Sequence, residues 1–221
     1  MKPKRVVLLA MITCAFLFLS AAKPKLIGEE EAKKIGLAFI NHVFDVNETE
    51  ATVTYTTQAG ASYIDGENVE TGKKQPVYKY TVSVSEFDDG RYRYRAQVNA
   101  ETGVAYSASR SNSLVPEMTA EQRKAVKEAK GNGVWENYDF ARVSTECADA
   151  AREWIPEKFD LKAKILGFID CGFISGDAGA KANFYVVVRD GTIYYLDMAW
   201  PQLTVLEVGI LNQTRSYADE P

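Results

Sequence analysis

The chain has 221 residues, a formal net charge of −4 and 46% hydrophobic residues. This apolar content is typical of a globular protein and argues against a disordered chain. The acidic balance argues against general nucleic-acid binding, so no nucleic-acid partner is expected. The length allows one domain or two small ones.

The first 22 residues have the pattern of a secretory signal. Basic residues near the N-terminus precede an apolar run over positions 6–19, and small residues follow at 20–22. This order predicts export and cleavage near Ala22. The run of 14 residues is shorter than the roughly 20 of a membrane-spanning helix. An uncleaved signal segment is the alternative, and it is the only membrane attachment that the sequence suggests.

The segment 26–110 predicts a helix followed by about four antiparallel strands. Gly28 fits an N-cap, and the three glutamates after it suit the positive end of a helix dipole. Apolar residues recur at helical spacing as far as Val43, so we expect the helix to end between Phe44 and Asn47. The first strand is predicted at 51–57, two more lie within 77–103, and the last is predicted at 104–109.

The most regular pattern lies between Val77 and Gly103. Two runs of alternating apolar and polar residues flank the turn sequence at 88–90. A period of two predicts strands with one buried face and one wet face, and the Asp-Asp-Gly turn predicts antiparallel pairing. The residues predicted to face inward are Tyr78, Tyr80, Val82 and Val84 in the first run, and Tyr92, Tyr94, Ala96 and Val98 in the second.

Basic residues stand on the predicted wet face of this strand pair, namely Lys79, Arg91, Arg93 and Arg95. On an acidic chain, such a patch predicts attraction of an anionic partner, such as an envelope polymer or an acidic protein surface. The interpretation that we favour is a solvated face that only deters edge pairing and aggregation.

Residues 111–142 predict a linker that contains one helix. Thr119 and Gln122 fit a capping box, which predicts a helix from about Thr119 to Lys130. A further amphipathic helix is expected to be capped by Ser144, to carry Trp154 on its apolar face and to end at Pro156.

About four strands follow this helix as far as residue 210, so the order of one helix and about four strands occurs twice. The strand segments 184–188 and 193–196 are apolar on both faces, which predicts a cover on each side of the sheet. The second cover is expected to come from the chain itself, and a partner protein is the alternative.

The first unit resembles the PepSY domain, known from propeptides of secreted metallopeptidases and from exported bacterial proteins. The stretches 27–35, 77–82 and 97–103 carry the resemblance, and they read IGEEEAKKI, VYKYTV and QVNAETG. The third is similar to the family's strand ending V-D-A-x-T-G, with Asn99 where the family has Asp. The likeness covers about residues 26–109, and a weaker one extends over 143–211.

The resemblance implies an α+β fold with a PepSY-like domain at 26–110 and a diverged second unit at 143–213, each with one helix on about four strands. It also implies a non-catalytic, exported binding module of the cell envelope. The family is associated with inhibiting or chaperoning peptidases and with regulating cell-wall hydrolases, which are the expected partners. A structural envelope protein without a regulatory target is one alternative, and a small secreted hydrolase that uses carboxylates is another.

The sequence offers little else for catalysis. His42 is the only histidine, and no nucleophile motif accompanies it, so neither a catalytic residue nor a cofactor is predicted. Zinc would need more His and Cys ligands than the chain provides, so no metal site is predicted. Cys147 and Cys171 form a candidate disulfide in an exported protein, and the alternative is a pair of buried thiols.

Overall fold

The computed structural model describes residues 25–58, 77–85, 91–130, 139–176 and 179–211. The predicted signal segment and the predicted turn at 88–90 lie outside these residues. The described chain forms α1 (Glu29–Phe44), β1 (Thr52–Gln58), β2 (Val77–Ser85), β3 (Tyr92–Asn99), β4 (Ala105–Arg110), a 3-10 turn (Asn112–Leu114), α2 (Ala120–Ala129), α3 (Phe140–Phe159), β5 (Ile165–Gly176), β6 (Gly179–Val188), β7 (Ile193–Trp200) and β8 (Thr204–Ile210).

All eight strands belong to one antiparallel sheet, in the order β1-β2-β3-β4-β8-β7-β6-β5. The sheet therefore consists of two four-stranded meanders that meet where β4 pairs with β8. Helix α1 contacts the strands of the first meander, and α3 contacts β5, β6 and β7 of the second. The predicted α+β class and antiparallel pairing are confirmed, but the strands expected in two separate units belong to one continuous sheet.

The alternation predicted for β2 and β3 is confirmed by burial and by register, except at Tyr92. The prediction that Tyr92 faces inward is wrong, because a register shift places it opposite Ser85 on the other face of the sheet. Tyr80 lies opposite Val98 and Val84 lies opposite Tyr94, so the inward residues of both strands share one face. The side chains of Tyr80 and Tyr94 are only 6% and 5% exposed. Apolar residues at a period of two thus select one face for burial, which also fixes the register of the strands.

Helix α1 packs closely on this buried face. Gly28 is its N-cap, and three glutamates occupy the first turn, as predicted. Gly36 faces Val82 of β2 at a distance that leaves no room for a side chain, since a Cβ atom on Gly36 would lie 2.5 Å from Val82 Cγ2. The glycine therefore allows the helix to approach the sheet.

One apolar cluster connects the two meanders. It contains Ile40 and Val43 of α1, Val143 and Ile155 of α3, and Tyr94 of β3. The Phe159 ring lies 6.4 Å from the Phe39 ring and 5.0 Å from the Tyr194 ring, measured between centroids. Both helices therefore cover the same face of the sheet.

The capping box predicted for α2 is confirmed. Thr119 Oγ1 accepts a hydrogen bond from the Gln122 backbone N–H at 3.1 Å, and Gln122 Oε1 accepts one from the Thr119 N–H at 2.9 Å. The helix buries Val126 and Ala129 in the shared apolar cluster.

The bounds predicted for α3 are wrong at both ends. The helix begins at Phe140, where Asp139 Oδ1 accepts a hydrogen bond from the Arg142 N–H, and Ser144 lies inside it. Pro156 also lies inside the helix, which ends at Phe159. The buried residues recur every four positions, and Trp154 is only half-buried at the margin of this face. They are Val143, Cys147, Ala151 and Ile155.

Candidate functional site

The sheet face opposite the helices, which we call the outer face, is open over the described residues, since no described helix packs on it. Side chains of directly paired residues form rows across this face. One row crosses all eight strands and consists of Thr52, Ser83, Arg95, Ser109, Glu207, Asp197, Asn183 and Gly172. The outer face is hydroxyl-rich on the first meander, charged at the centre and apolar on the second meander.

Two carboxylates, which we call the carboxylate pair, occupy the centre of the outer face. Asp197 of β7 lies directly opposite Glu207 of β8. Asp197 Oδ2 is 3.5 Å from Lys181 Nζ, and Glu207 Oε1 accepts a hydrogen bond from Ser107 Oγ at 3.4 Å. Asp197 Oδ1 is buried without a hydrogen-bond partner among the described residues.

Burial raises the pKa of both carboxyls. For Asp197 burial outweighs the attraction of Lys181, which lowers the pKa. For Glu207 burial is again the largest cause, and the charge of Asp197 raises the pKa further. A raised pKa suits a general acid, but this pair lies on an open sheet face and does not line the groove between α3 and the start of β5.

The outer face of the second meander carries what we call the outer apolar patch, formed by Ile169, Tyr185, Val187, Ile193 and Tyr195. Ile169 lies opposite Tyr185, and Tyr185 lies opposite Tyr195 with a ring-centroid distance of 5.8 Å. Val187 lies opposite Ile193 in the adjacent row. The Ile169 side chain is 55% exposed, and the others are half-buried.

This patch corrects the prediction that the second meander is covered on both faces by the chain itself. Within the described ranges, the inner residues of β6 are fully buried, whereas its outer residues are only half-buried. Neighbouring aromatic and aliphatic side chains shield one another in place of a second layer.

The predicted basic residues do not all share one environment. Arg95 lies in the central row, and its guanidinium carbon is 3.8 Å from the Tyr92 ring centroid. Arg93 pairs with Glu48 at 3.2 Å, because the ladder between β2 and β3 shifts register there. Lys79 lies four residues from Ser83, the partner of Arg95, which is about 14 Å along β2. Arg91 is exposed just before β3.

Neither cysteine forms the candidate disulfide. Cys147 is a free thiol in the buried face of α3, and burial raises its pKa to about 12. Cys171 is a free, exposed thiol at a register shift of β5, where its Sγ donates to the Ile169 carbonyl at 3.4 Å. The single histidine is structural in its contacts, since His42 Nε2 bonds the Lys158 carbonyl at the C-terminal ends of α1 and α3.

The described residues contain no cluster of three or more His, Cys, Asp or Glu side chains able to hold a metal ion. The carboxylate pair was not predicted from the sequence, because its prediction requires knowledge of which strands pair and in which register. The outer apolar patch was also not predicted to be an open surface, although the apolar residues on both faces of β6 indicated that the patch exists. The apolar residues on both faces of β6 were interpreted as evidence for a second covering layer, and the described residues leave the outer face open instead.

No family model, curated protein or solved structure matches this chain. None of the helices in the described ranges is both long enough and apolar enough to span a membrane.

Proposed function

We propose that the protein is an exported, non-catalytic binding module that regulates a secreted peptidase or a cell-wall hydrolase. The outer apolar patch carries this proposal. An antiparallel sheet with one open face normally keeps that face polar, and an exposed apolar patch on a monomer marks an interaction surface. The adjacent carboxylate pair supplies charged groups at its border, as in the polar rim of a protein interface.

The resemblance to the PepSY domain supports the assignment of the target class. Asn99, which stands where the family has Asp, closes the turn after β3. Its Oδ1 accepts hydrogen bonds from the N–H groups of Glu101 and Thr102 at 2.9 and 3.0 Å. An aspartate would make the same bonds, so the substitution keeps the turn that the motif needs.

We further propose that 26–110 and 143–213 are diverged copies of one unit. Both main helices end with a phenylalanine followed by a left-handed aspartate, Asp45 after α1 and Asp160 after α3. The register of β3 on β4 shifts between Gln97 and Val98, and the register of β7 on β8 shifts between Asp197 and Met198.

The turn after each of these strands supports the same proposal. Gly103 has φ +70° in the first turn, and Leu203 has φ 52° in the second. A leucine with positive φ is energetically unfavourable, so the residue type does not explain the conformation of Leu203. The geometry of the turn requires a left-handed residue there, as it does at Gly103. The two copies would then be related by a pseudo-twofold axis between β4 and β8.

The proposal is tested with the purified protein and an envelope fraction that contains peptidases and wall hydrolases. Immobilised protein is expected to retain a hydrolase, to reduce its activity in solution, and to show no hydrolysis alone. Val187→Lys places a charge in the outer apolar patch and is expected to weaken retention by about tenfold or more. Thr54→Lys, on the outer face of the first meander, is the matched control and is expected to retain the hydrolase as the unsubstituted protein does.

Three outcomes would contradict the proposal. The first is hydrolysis of peptide or wall substrates by the purified protein alone, which would favour the carboxylate alternative. The second is the absence of any retained hydrolase. The third is an equal loss of binding in both lysine variants, which would remove the outer apolar patch as the surface.

A further inference from the structure

Strand β5 forms one edge of the sheet, and among the described residues it has a strand neighbour on one side only. It spans Ile165–Gly176, which makes it the longest strand of the described sheet. Side chains along it are unusually apolar for an edge, since Leu166 and Ile169 are 56% and 55% exposed. Natural sheets usually protect such an edge with charges or a covering element, because unpaired backbone groups recruit another strand.

A groove lies beside the first half of this edge. It has a volume of about 440 Å³ and runs between α3 and the start of β5. Leu166 and Phe168 form apolar parts of its wall, and Arg152 and Lys164 place two positive charges on it. The Arg152 guanidinium carbon lies 5.2 Å from the centroid of the Phe168 ring. Among the described residues that line the groove there is no acidic side chain.

Two register shifts limit what can pair with the edge. They lie between Ile165 and Gly167 and between Asp170 and Gly172. The unbroken run from Gly167 to Asp170 spans about 10 Å, which suits a short extended segment. A second copy of β5 would bring the same two interruptions, so long antiparallel pairing between two edges is disfavoured.

We propose that this edge and its groove bind a short, extended, acidic segment of a partner protein by strand addition. The segment pairs its backbone with the run 167–170, places an apolar side chain against Leu166 and Phe168, and places a carboxylate near Arg152 and Lys164. Strand addition supplies affinity through main-chain hydrogen bonds, and the groove supplies selectivity through its charges and its apolar wall. This inference rests on the proposed function, because it names the part of the molecule that receives the target.

The test uses two fluorescent peptides and the whole protein. Both peptides alternate valine and threonine, and one ends in two glutamates while the other ends in two lysines. Fluorescence anisotropy is expected to show the acidic peptide binding about tenfold more tightly or better. The double variant Arg152→Glu, Lys164→Glu is expected to reverse the preference, whereas Lys162→Glu, which changes an 83% exposed side chain outside the groove, is expected to keep it.

A second measurement locates the peptide on the edge. Amide hydrogen exchange is expected to slow at 167–170 when the acidic peptide binds, and Ile169→Lys is expected to weaken both peptides. Equal binding of the two peptides, an unchanged preference in the double variant, or protection elsewhere on the molecule would each overturn the proposal. Because Arg152, Lys164 and Ile169 are exposed, circular dichroism of these variants is expected to match that of the unsubstituted protein.

The outcomes also separate this inference from the proposed function. If a hydrolase is retained and inhibited equally by the unsubstituted protein and by the double variant, the proposed function stands and the edge site is wrong. If the acidic peptide binds at the edge but no hydrolase is retained or inhibited, the edge site stands and the assigned target class is wrong.

Discussion

At the scale of single residues, Gly36 decides how closely α1 approaches the sheet. Gly36→Ala would place a Cβ atom 2.6 Å from Val82 Cβ, and Val82 is fully buried. Overpacking of this kind costs about 1–3 kcal/mol, which exceeds the gain in helix propensity of at most about 1 kcal/mol. We therefore expect a lower free energy of unfolding, measured by urea denaturation.

Two further variants check this explanation. Gly167→Ala changes a strand glycine whose Cβ atom would meet nothing within 4 Å, so little change in stability is expected. Combining Gly36→Ala with Val82→Ala makes space at the contact, and the energies of the two substitutions are expected to be non-additive. Full additivity would contradict the close contact between Gly36 and Val82.

The carboxylate pair gives a pH-dependent prediction. The pKa of Glu207 is raised in the folded protein, so the folded state binds more protons than the unfolded state between the ordinary and the raised pKa. The contribution of Glu207 to stability is therefore present at low pH and is lost as the pH rises through this window. Glu207→Gln removes that loss, so its melting temperature relative to the unsubstituted protein is expected to be higher at pH 7 than at pH 4.

Glu50→Gln is the control of opposite sign, since a hydrogen bond from Lys33 lowers the pKa of the Glu50 carboxyl. Its relative melting temperature is expected not to rise between pH 4 and pH 7. The same rise in both variants would contradict the assignment of the effect to burial of Glu207.

Residue-level features were predictable where they depend on local sequence. The capping box of Thr119 and Gln122 and the alternation through Tyr80 and Tyr94 follow from neighbouring residues and are confirmed. Arg93 was predicted on the wet face, but the register shift in β3 places it beside Glu48. A β-bulge changes the direction in which the side chains point, and the sequence of this polar, basic stretch does not reveal where the bulge lies.

At the scale of elements, α3 is the helix whose packing holds the second meander. Ile155 is fully buried in the shared cluster, so Ile155→Ala is expected to lower the free energy of unfolding by about 2–5 kcal/mol. Trp154 is half-buried beside Phe159, with a ring-centroid distance of 5.9 Å, so Trp154→Ala is expected to cost less than Ile155→Ala. Chemical denaturation of both variants measures the order, and the reverse order would contradict the assigned buried face.

The ends of α3 show why its bounds were predicted wrongly. Ser144 is a good N-cap residue type, but Asp139 lies earlier and caps a helix whose first buried residue is Val143. Pro156 lies in the last turn, where its carbonyl accepts a hydrogen bond from the Asp160 N–H, so the helix continues past the proline to Phe159. Strand bounds were predicted more closely, since β1 and β4 each lie within one residue of the segments predicted at 51–57 and 104–109.

At the scale of the whole molecule, one sheet and one shared apolar cluster join the two halves of the chain. We therefore expect a single unfolding transition. Tryptophan fluorescence, which includes the fully buried Trp200 of the second meander, is expected to change together with hydrogen exchange in β2 and β3. Two separated transitions would contradict an energetically joined sheet.

The pairing of β4 with β8 was outside the reach of sequence reasoning. Each meander is a chain of neighbouring strands joined by turns, and such local connections are visible as patterns. The contact of Ser109 with Glu207 joins residues far apart in the chain, and neither strand marks its partner by composition. This pairing joins the outer faces of the two meanders into one surface, with the carboxylate pair at its centre.

We propose that the second meander binds a secreted hydrolase through its outer face and the edge at β5. Hydrogen-exchange mass spectrometry of the protein with and without the retained hydrolase tests this most directly. Slower exchange is expected in β5, β6 and β7, with little change in β1 and β2. Protection confined to α1, α2 and the first meander would contradict it.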